Sequence, residues 1–400
     1  MSEKARRFIV VAFALSKPGT MGGNSKIALE IARHLSKSHE VHFILPDRRL
    51  QTLEDTIGHP EGLIVHTVTE YAHNDLRHPI DSKKHYTCEL HKIFNQIALT
   101  ANDIVFSASD FHVDTLPCRA LKRKFGFFWI ASQFLFIPSL FENLIRRYRF
   151  PALKYILVWI YSYLLFFLAR HSADAFVITN DSDRVHFPDK FQKNVFAYYG
   201  GVNIEQIPSR PNNQTIKQSN NPSVVFCSRL HPQKGIDAFL DTWKKVIEKC
   251  PNSRLNIIGN GEKNYESYLK YKAKRLGISD SISWLGYVNN EAKYEIYAKS
   301  DLLVHPTVFD NNGMVAAEAL CTGLPVVMQD LPALRDVYTI GCLKVPFGDR
   351  GAFAAAIVSL LTDPTKRAAI APTPSQLASL RDHWRWESRA KEFQTWLSIL

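Results

Sequence analysis

The 400-residue sequence has few residues able to cross-link it. Its six cysteines, Cys88, Cys118, Cys227, Cys250, Cys321 and Cys342, are scattered, with no C-x-x-C pair. That excludes a disulfide framework and a structural zinc site, and a reducing cytosol is the expected environment. Acidic residues are also in short supply, 38 Asp plus Glu against 49 Lys plus Arg, for a net charge of +11. The excess suits an anionic partner: a phosphate ligand, a membrane surface or nucleic acid. No nucleic-acid module is recognisable, and the basic residues spread over both halves, so nucleic acid is not expected. At 46% hydrophobic and 22% charged residues, the composition rules out a disordered or collagenous chain. A secretory leader is not expected either. The apolar run 8–15 is short, has no small-x-small cleavage site after it and leads into a glycine pair, so it reads as a first buried strand.

What is there is a repeated α/β pattern. Residues 8–15 form an apolar strand, 16–24 a Gly/Pro loop, 25–36 a helix with Ile27, Ile31 and Leu35 on one stripe, and 40–45 a second strand. This is a βαβ unit, and 103–107, 126–131 and 175–179 are expected as later strands of the same sheet. Residues 206–222 are polar and rich in Pro and Asn, as a linker is. A second α/β series follows, with strands expected at 223–227, 254–258, 281–285, 302–305 and 325–328 and helices at 236–249, 290–298 and 315–320. The expected architecture is therefore α/β, with two Rossmann-like, doubly wound parallel-sheet domains facing a central cleft, at 1–205 and 223–383. Ligands of such sheets sit at the carboxyl ends of the strands. Residues 152–169 are nearly charge-free and long enough for a transmembrane helix, and follow the basic cluster Arg146, Arg147 and Arg149. A span would part the two domains across a bilayer, which leaves a membrane-surface contact through 119–170 or a buried helix as the expectation; the apolar stretch 125–141 adds to the first.

Three motifs carry chemistry. Gly22 and Gly23, in the first strand–helix loop, form either a plain turn or a place where backbone approaches a phosphate. Arg229 and Lys234, in R-L-H-P-Q-K-G after the strand 223–227, are either a solvated basic loop or a pair of cations for a diphosphate. The third is D-N-N-G-M-V-A-A-E-A-L, in which Gly313 opens a helix whose free N–H groups suit an anion or sugar hydroxyls. Glu318 in that apolar helix is costly without a partner; a ribose diol is one such partner, and the helix dipole is the plainer alternative.

R-L-x-x-x-K-G, Gly259-x-Gly261, L-G-Y-V at 285–288, then D-x7-E from Asp310 to Glu318 and G-L-P-V-V at 323–327, taken in order, resemble the family-4 retaining glycosyltransferases of the GT-B fold. Gly22-Gly23, Gly201-Val202-Asn203 and Trp386-Glu387 extend the likeness, the last opening a helix (384–400) that in this fold crosses back to the N-terminal domain. The resemblance implies hexosyl transfer from a UDP- or GDP-linked sugar, with retention and with no metal or other cofactor. Arg229 and Lys234 would hold the departing diphosphate; Glu318 the ribose; Asp310, Asn312, Gly313, Met314 and Val315 the donor sugar and phosphates; and Gly22, Gly23 and Gly259 would belong to the donor site. Two departures stand out. Asp310 replaces the family's usual Glu, one methylene longer, and Gln133 occupies the place of a His found in many members. Asp110, His112 and Gln133 are the acceptor-side candidates, His112 being more readily structural than catalytic. The expected acceptor is a lipid-linked or other glycan at the cytosolic face of a membrane, with a peripheral, cytoplasmic location; the alternative is a non-catalytic subunit that binds a sugar nucleotide or a partner enzyme.

Overall fold

The computed structural model describes residues 6–18, 21–72, 78–137, 152–208 and 221–400, with the backbone alone at 152–155. The Arg146, Arg147 and Arg149 cluster, the end of the apolar stretch at 125–141 and most of the linker lie outside the described residues. The chain forms two compact units. One takes the described residues up to 137, then 152–200 and Trp386–Leu400; the other is Gly201–Arg385.

The first unit is built on seven parallel strands, β1 (Phe8–Val11), β2 (Val41–Pro46), β3 (Leu63–Val68), β4 (Ile104–Ser107), β5 (Phe128–Gln133), β6 (Ala175–Ile178) and β7 (Val195–Ala197), in the order β3-β2-β1-β4-β5-β6-β7. Helices α1 (Gly23–Leu35), α2 (Leu50–Ile57), α3 (Pro79–Gln96), α4 (His112–Phe125) and α5 (Ala152–Arg170) connect them. Parallel strands covered on both faces must be apolar throughout, and β1, pairing Phe8 with Val41 on one side and Ile104 on the other, is buried along its whole length. The C-terminal helix Trp386–Leu397 belongs to this unit: the Phe393 ring lies 6.2 Å from Phe8 and 5.5 Å from Phe196, and Trp396 Nε1 donates to the Lys193 carbonyl at 3.2 Å.

The second unit has six parallel strands, β8 (Ser223–Cys227), β9 (Arg254–Ile258), β10 (Ile282–Gly286), β11 (Leu302–His305), β12 (Val326–Gln329) and β13 (Cys342–Val345), in the order β10-β9-β8-β11-β12-β13. Its helices include α6 (Ile236–Ile247), α7 (Lys263–Arg275), α8 (Asn290–Lys299) and α9 (Met314–Cys321). In each sheet the strand order reverses once, between β1 and β4 and between β8 and β11, which is where doubly wound sheets bind ligands.

Several expectations are corrected. The first strand stops at Val11, not at 15, because the Phe13 and Ala14 amides turn to the Asp114 carboxylate. Gly126, at φ +73°, caps α4, so the next strand starts at Phe128 and runs through Gln133. His112 is the first residue of α4. Among the described residues no helix is long and apolar enough to cross a membrane. Nor is α5 a buried core helix: Leu165, Phe166 and Ala169 are buried, while Leu157, Val158, Ile160, Leu164 and Phe167 are each 47–59% exposed.

Candidate functional site

The loops after β8 and β11 are stitched together at the switch point of the second unit. Gln233 Nε2 donates to the Phe309 carbonyl at 2.9 Å, and the Val308 amide donates to the Gln233 carbonyl at 3.0 Å. Gly235 permits this proximity: its φ is +71°, and a Cβ there would stand 2.0 Å from the Pro306 carbonyl oxygen. Gly259 plays the same part on the other side, with φ +127° and a built Cβ 2.0 Å from the Ser228 carbonyl oxygen. The G-x-G signal is thus explained by backbone meeting backbone, which leaves its donor-binding role without a direct contact to support it.

Within this corner Lys234 Nζ lies 2.7 Å from Asp310 Oδ2, and His305 Nε2, from the end of β11, lies 3.5 Å from the same oxygen. Asp310 Oδ1 accepts from the Gly313 amide at 3.2 Å, which ties the acid to the turn that opens α9. Burial works against the Asp310 charge, but Lys234 and His305 outweigh it and hold the carboxyl far below the usual carboxylate range. Burial, then Arg229 and Lys234, lower His231, so both cations bear on one point. Arg229 is exposed and makes no hydrogen bond or ion pair among the described residues, whereas Lys234 is engaged. Gly313, at φ +61°, gives its carbonyl to the Tyr338 hydroxyl at 2.9 Å. Asn312 Oδ1 is buried without a hydrogen-bond partner among the described residues. Met314 and Val315 form the first turn of α9, where backbone N–H groups lack intrahelical acceptors. Glu318, on the same helix, is buried against Lys293 of α8, with Nζ 2.8 Å from Oε1.

The first-unit candidates divide. The Gly22 amide donates to Ser16 Oγ at 2.9 Å, and Gly22 is the residue before α1, which Gly23 begins. Asp110 and Gln133 come together on one residue: Asp110 Oδ2 accepts from the Leu135 amide at 3.1 Å, and Gln133 Nε2 donates to the Leu135 carbonyl at 3.1 Å. Burial raises Asp110 to about 6. His112 stands apart from them, buried, with Nε2 3.1 Å from Ser82 Oγ and its ring centroid 6.0 Å from that of Tyr161. These contacts give His112 and Gln133 structural work. Sequence reasoning missed His305, Lys293 and Asp114. The cost of burying Glu318 signals that a partner must exist, but nothing local says which residue it is.

A family model described as Glycosyl transferases group 1 matches residues 221–363. The phosphatidyl-myo-inositol mannosyltransferase of Mycobacterium leprae is 32% identical over 171 residues, 42% of this chain and 44% of that one. Curated relatives at 30–33% identity are spanned over only 24% to 44% of their own length. Among solved structures, the sucrose-phosphate synthase of Thermosynechococcus elongatus aligns with TM-score 0.78 at 14% identity, over 98% of each chain. Anabaena HepE, solved with UDP-glucose, aligns with TM-score 0.73 at 16% identity, over 98% of this chain and 100% of that one. These structures share the fold, two parallel-sheet α/β units of the GT-B type. The ordered motifs, from Arg229 to Val327, all lie within the residues that the glycosyl transferases group 1 model matches, and over that part of its length the chain is similar to the family.

Proposed function

We propose that the chain is a retaining hexosyltransferase, taking its sugar from a UDP- or GDP-linked donor and passing it to a lipid-linked or glycan acceptor at the cytosolic face of a membrane. The observation that carries this reading is the cluster at the β8–β11 switch point: Arg229 with no anionic partner and Asn312 Oδ1 with no hydrogen-bond partner among the described residues, and Lys234 and His305 gathered on Asp310. A departing nucleoside diphosphate gains negative charge as the glycosidic C–O bond breaks, and fixed cations lower that barrier. Arg229 supplies a planar fork for phosphate oxygens, and Lys234 a point charge. The first-turn amides at Met314 and Val315 face the same chemistry, and Asn312 Oδ1 awaits a donor such as a sugar hydroxyl. Retention follows if the acceptor oxygen bonds to the anomeric carbon on the face the diphosphate leaves, its proton passing to a phosphate oxygen. No side-chain base is required, which agrees with the structural occupation of His112 and Gln133. The reaction needs no metal or cofactor.

The related protein solved with UDP-glucose supports a nucleotide-sugar donor, and the phosphatidyl-myo-inositol mannosyltransferase supports a lipid acceptor. The exposed apolar side of α5 supports a peripheral membrane location. The test is incubation of the purified protein with UDP-, GDP- and ADP-sugars and a membrane lipid extract, following product and anomeric configuration. Donor-dependent product with retained configuration is expected, and Arg229→Ala should abolish it without changing the melting temperature. Nucleotide-sugar binding with neither transfer nor donor hydrolysis would favour the non-catalytic subunit instead. Neither binding nor turnover would end both readings.

A further inference from the structure

Glu318 is not free to grip its ligand with both oxygens. Lys293 reaches it from the neighbouring helix α8, with Nζ 2.8 Å from Oε1, and the two side chains are only 12% and 7% exposed. The ammonium is itself fixed on two more sides: Asn290 Oδ1 accepts from it at 3.1 Å, and it lies 5.1 Å from the centre of the Tyr294 ring. Burial works against the Lys293 charge, yet Glu318 outweighs it and holds the ammonium above its usual range. The second oxygen, Oε2, makes no hydrogen bond among the described residues, and it does not belong to the fully buried orphan atoms of the molecule. The pair therefore presents one anchored oxygen and one open oxygen.

We propose that Lys293 is a positioning residue: by holding Oε1 it keeps Glu318 turned, so that Oε2 alone accepts a hydroxyl of the nucleotide's sugar. This rests on the reading of the protein as a nucleotide-sugar enzyme, in which Glu318 faces the ribose. A carboxylate buried without its counter-charge is strongly disfavoured and moves away from its paired position. Losing Lys293 thus disables Glu318 as an acceptor although Lys293 itself touches no substrate. A single open oxygen also means that one hydroxyl, not the diol, carries most of the discrimination. A hydrogen bond to a charged acceptor discriminates by about tenfold or more.

The experiment measures dissociation constants of UDP, GDP and ADP for the full chain, and then of the 2′-deoxy and 3′-deoxy forms of the tightest binder. Wild type should lose about tenfold or more in affinity for one of the two deoxy forms, and far less for the other. Lys293→Met should bring that ratio to within about twofold, as should Glu318→Gln, while Lys293→Arg keeps it near the wild-type value. Lys293→Gln, which retains donors but no charge, takes the place of Lys293→Met if the latter does not fold, with the same loss expected. A purely structural Lys293 would lower the melting temperature and leave the ratio unmoved, and that outcome overturns the assignment. Equal losses for both deoxy forms in wild type overturn the single-oxygen geometry. A wild-type chain that binds no nucleoside diphosphate fails the nucleotide-sugar reading itself, and this inference with it.

Discussion

Asp310, half-buried, and Asp114, fully buried, are carboxylates at sheet switch points, and their charges answer to opposite forces. Asp310 is overruled by Lys234 and His305 and sits far below the usual range, so its contribution to folding is present above the unfolded value of about 4 and lost as pH falls below it. Asp114, with Oδ1 accepting from Phe13 and Ala14 and Oδ2 from Ser109, is raised by burial to about 7. A raised carboxyl gives stability that is full below about 4 and disappears as pH rises through about 7. Unfolding followed by a probe in each unit should therefore show the second unit weakening below about pH 4 and the first weakening between about pH 4 and 7. Asp310→Asn should flatten the acid limb of the second unit and destabilise it by roughly 1–3 kcal/mol, since Lys234 is left half-buried without its partner. Asp114→Asn should flatten the slope of the first. Denaturant titrations across this pH range, wild type against variant, read both effects, and parallel slopes in wild type and variant would contradict them.

At the scale of elements, close backbone contact and helix exposure make separate predictions. Gly259→Ala forces a Cβ into the Ser228 carbonyl at φ +127°, whereas Gly277→Ala, at φ +69°, meets nothing within 4 Å. The backbone strain is about 1–3 kcal/mol in each, and only Gly259→Ala adds displacement of the β8 loop. Thermal melts should rank Gly259→Ala well below Gly277→Ala, and only the former should weaken nucleotide binding. On α5, the exposed row Leu157, Ile160, Leu164 and Phe167 follows helical spacing. Changing Leu157, Ile160 and Leu164 together to Ser should abolish co-sedimentation with vesicles of anionic phospholipid and leave the fold intact; unchanged sedimentation would remove α5 from the membrane reading. The elements also show what a sequence discloses. β8 and β11 are legible to the residue because they are short apolar runs ended by a turn signal, and β9 because Gly259-Asn260-Gly261 ends it. β3 was missed because it lies at the sheet edge, where Ile64 is exposed and the apolar run is broken by His66 and Thr67. Lys234 and Asp310 are legible as site residues from their strand-end loops. Their direct pairing, like that of Lys293 with Glu318, arises between elements 25 or more positions apart, and no local pattern encodes it.

Across the molecule, the first unit draws its core from both ends of the chain. Trp386, Phe393 and Trp396 are buried there, Phe393 against Phe8 of the first strand. Burial of side chains this large contributes roughly 1.5–3 kcal/mol each. A chain ending at Arg385 should thus lose on the order of 5 kcal/mol or more from the first unit, while the second keeps its melting transition. Calorimetry that resolves the two transitions is the check, and equal losses in both would show that the helix serves both units. Gly201–Arg385 lies between the two parts of the first unit as an insertion does. A ribosome therefore releases the whole of the inserted sheet before the last aromatic of the earlier one emerges. The unit whose synthesis starts first is finished last, and until then the side of Phe8 and Phe196 that Phe393 will cover stands bare, ready for a chaperone or for misplaced partners.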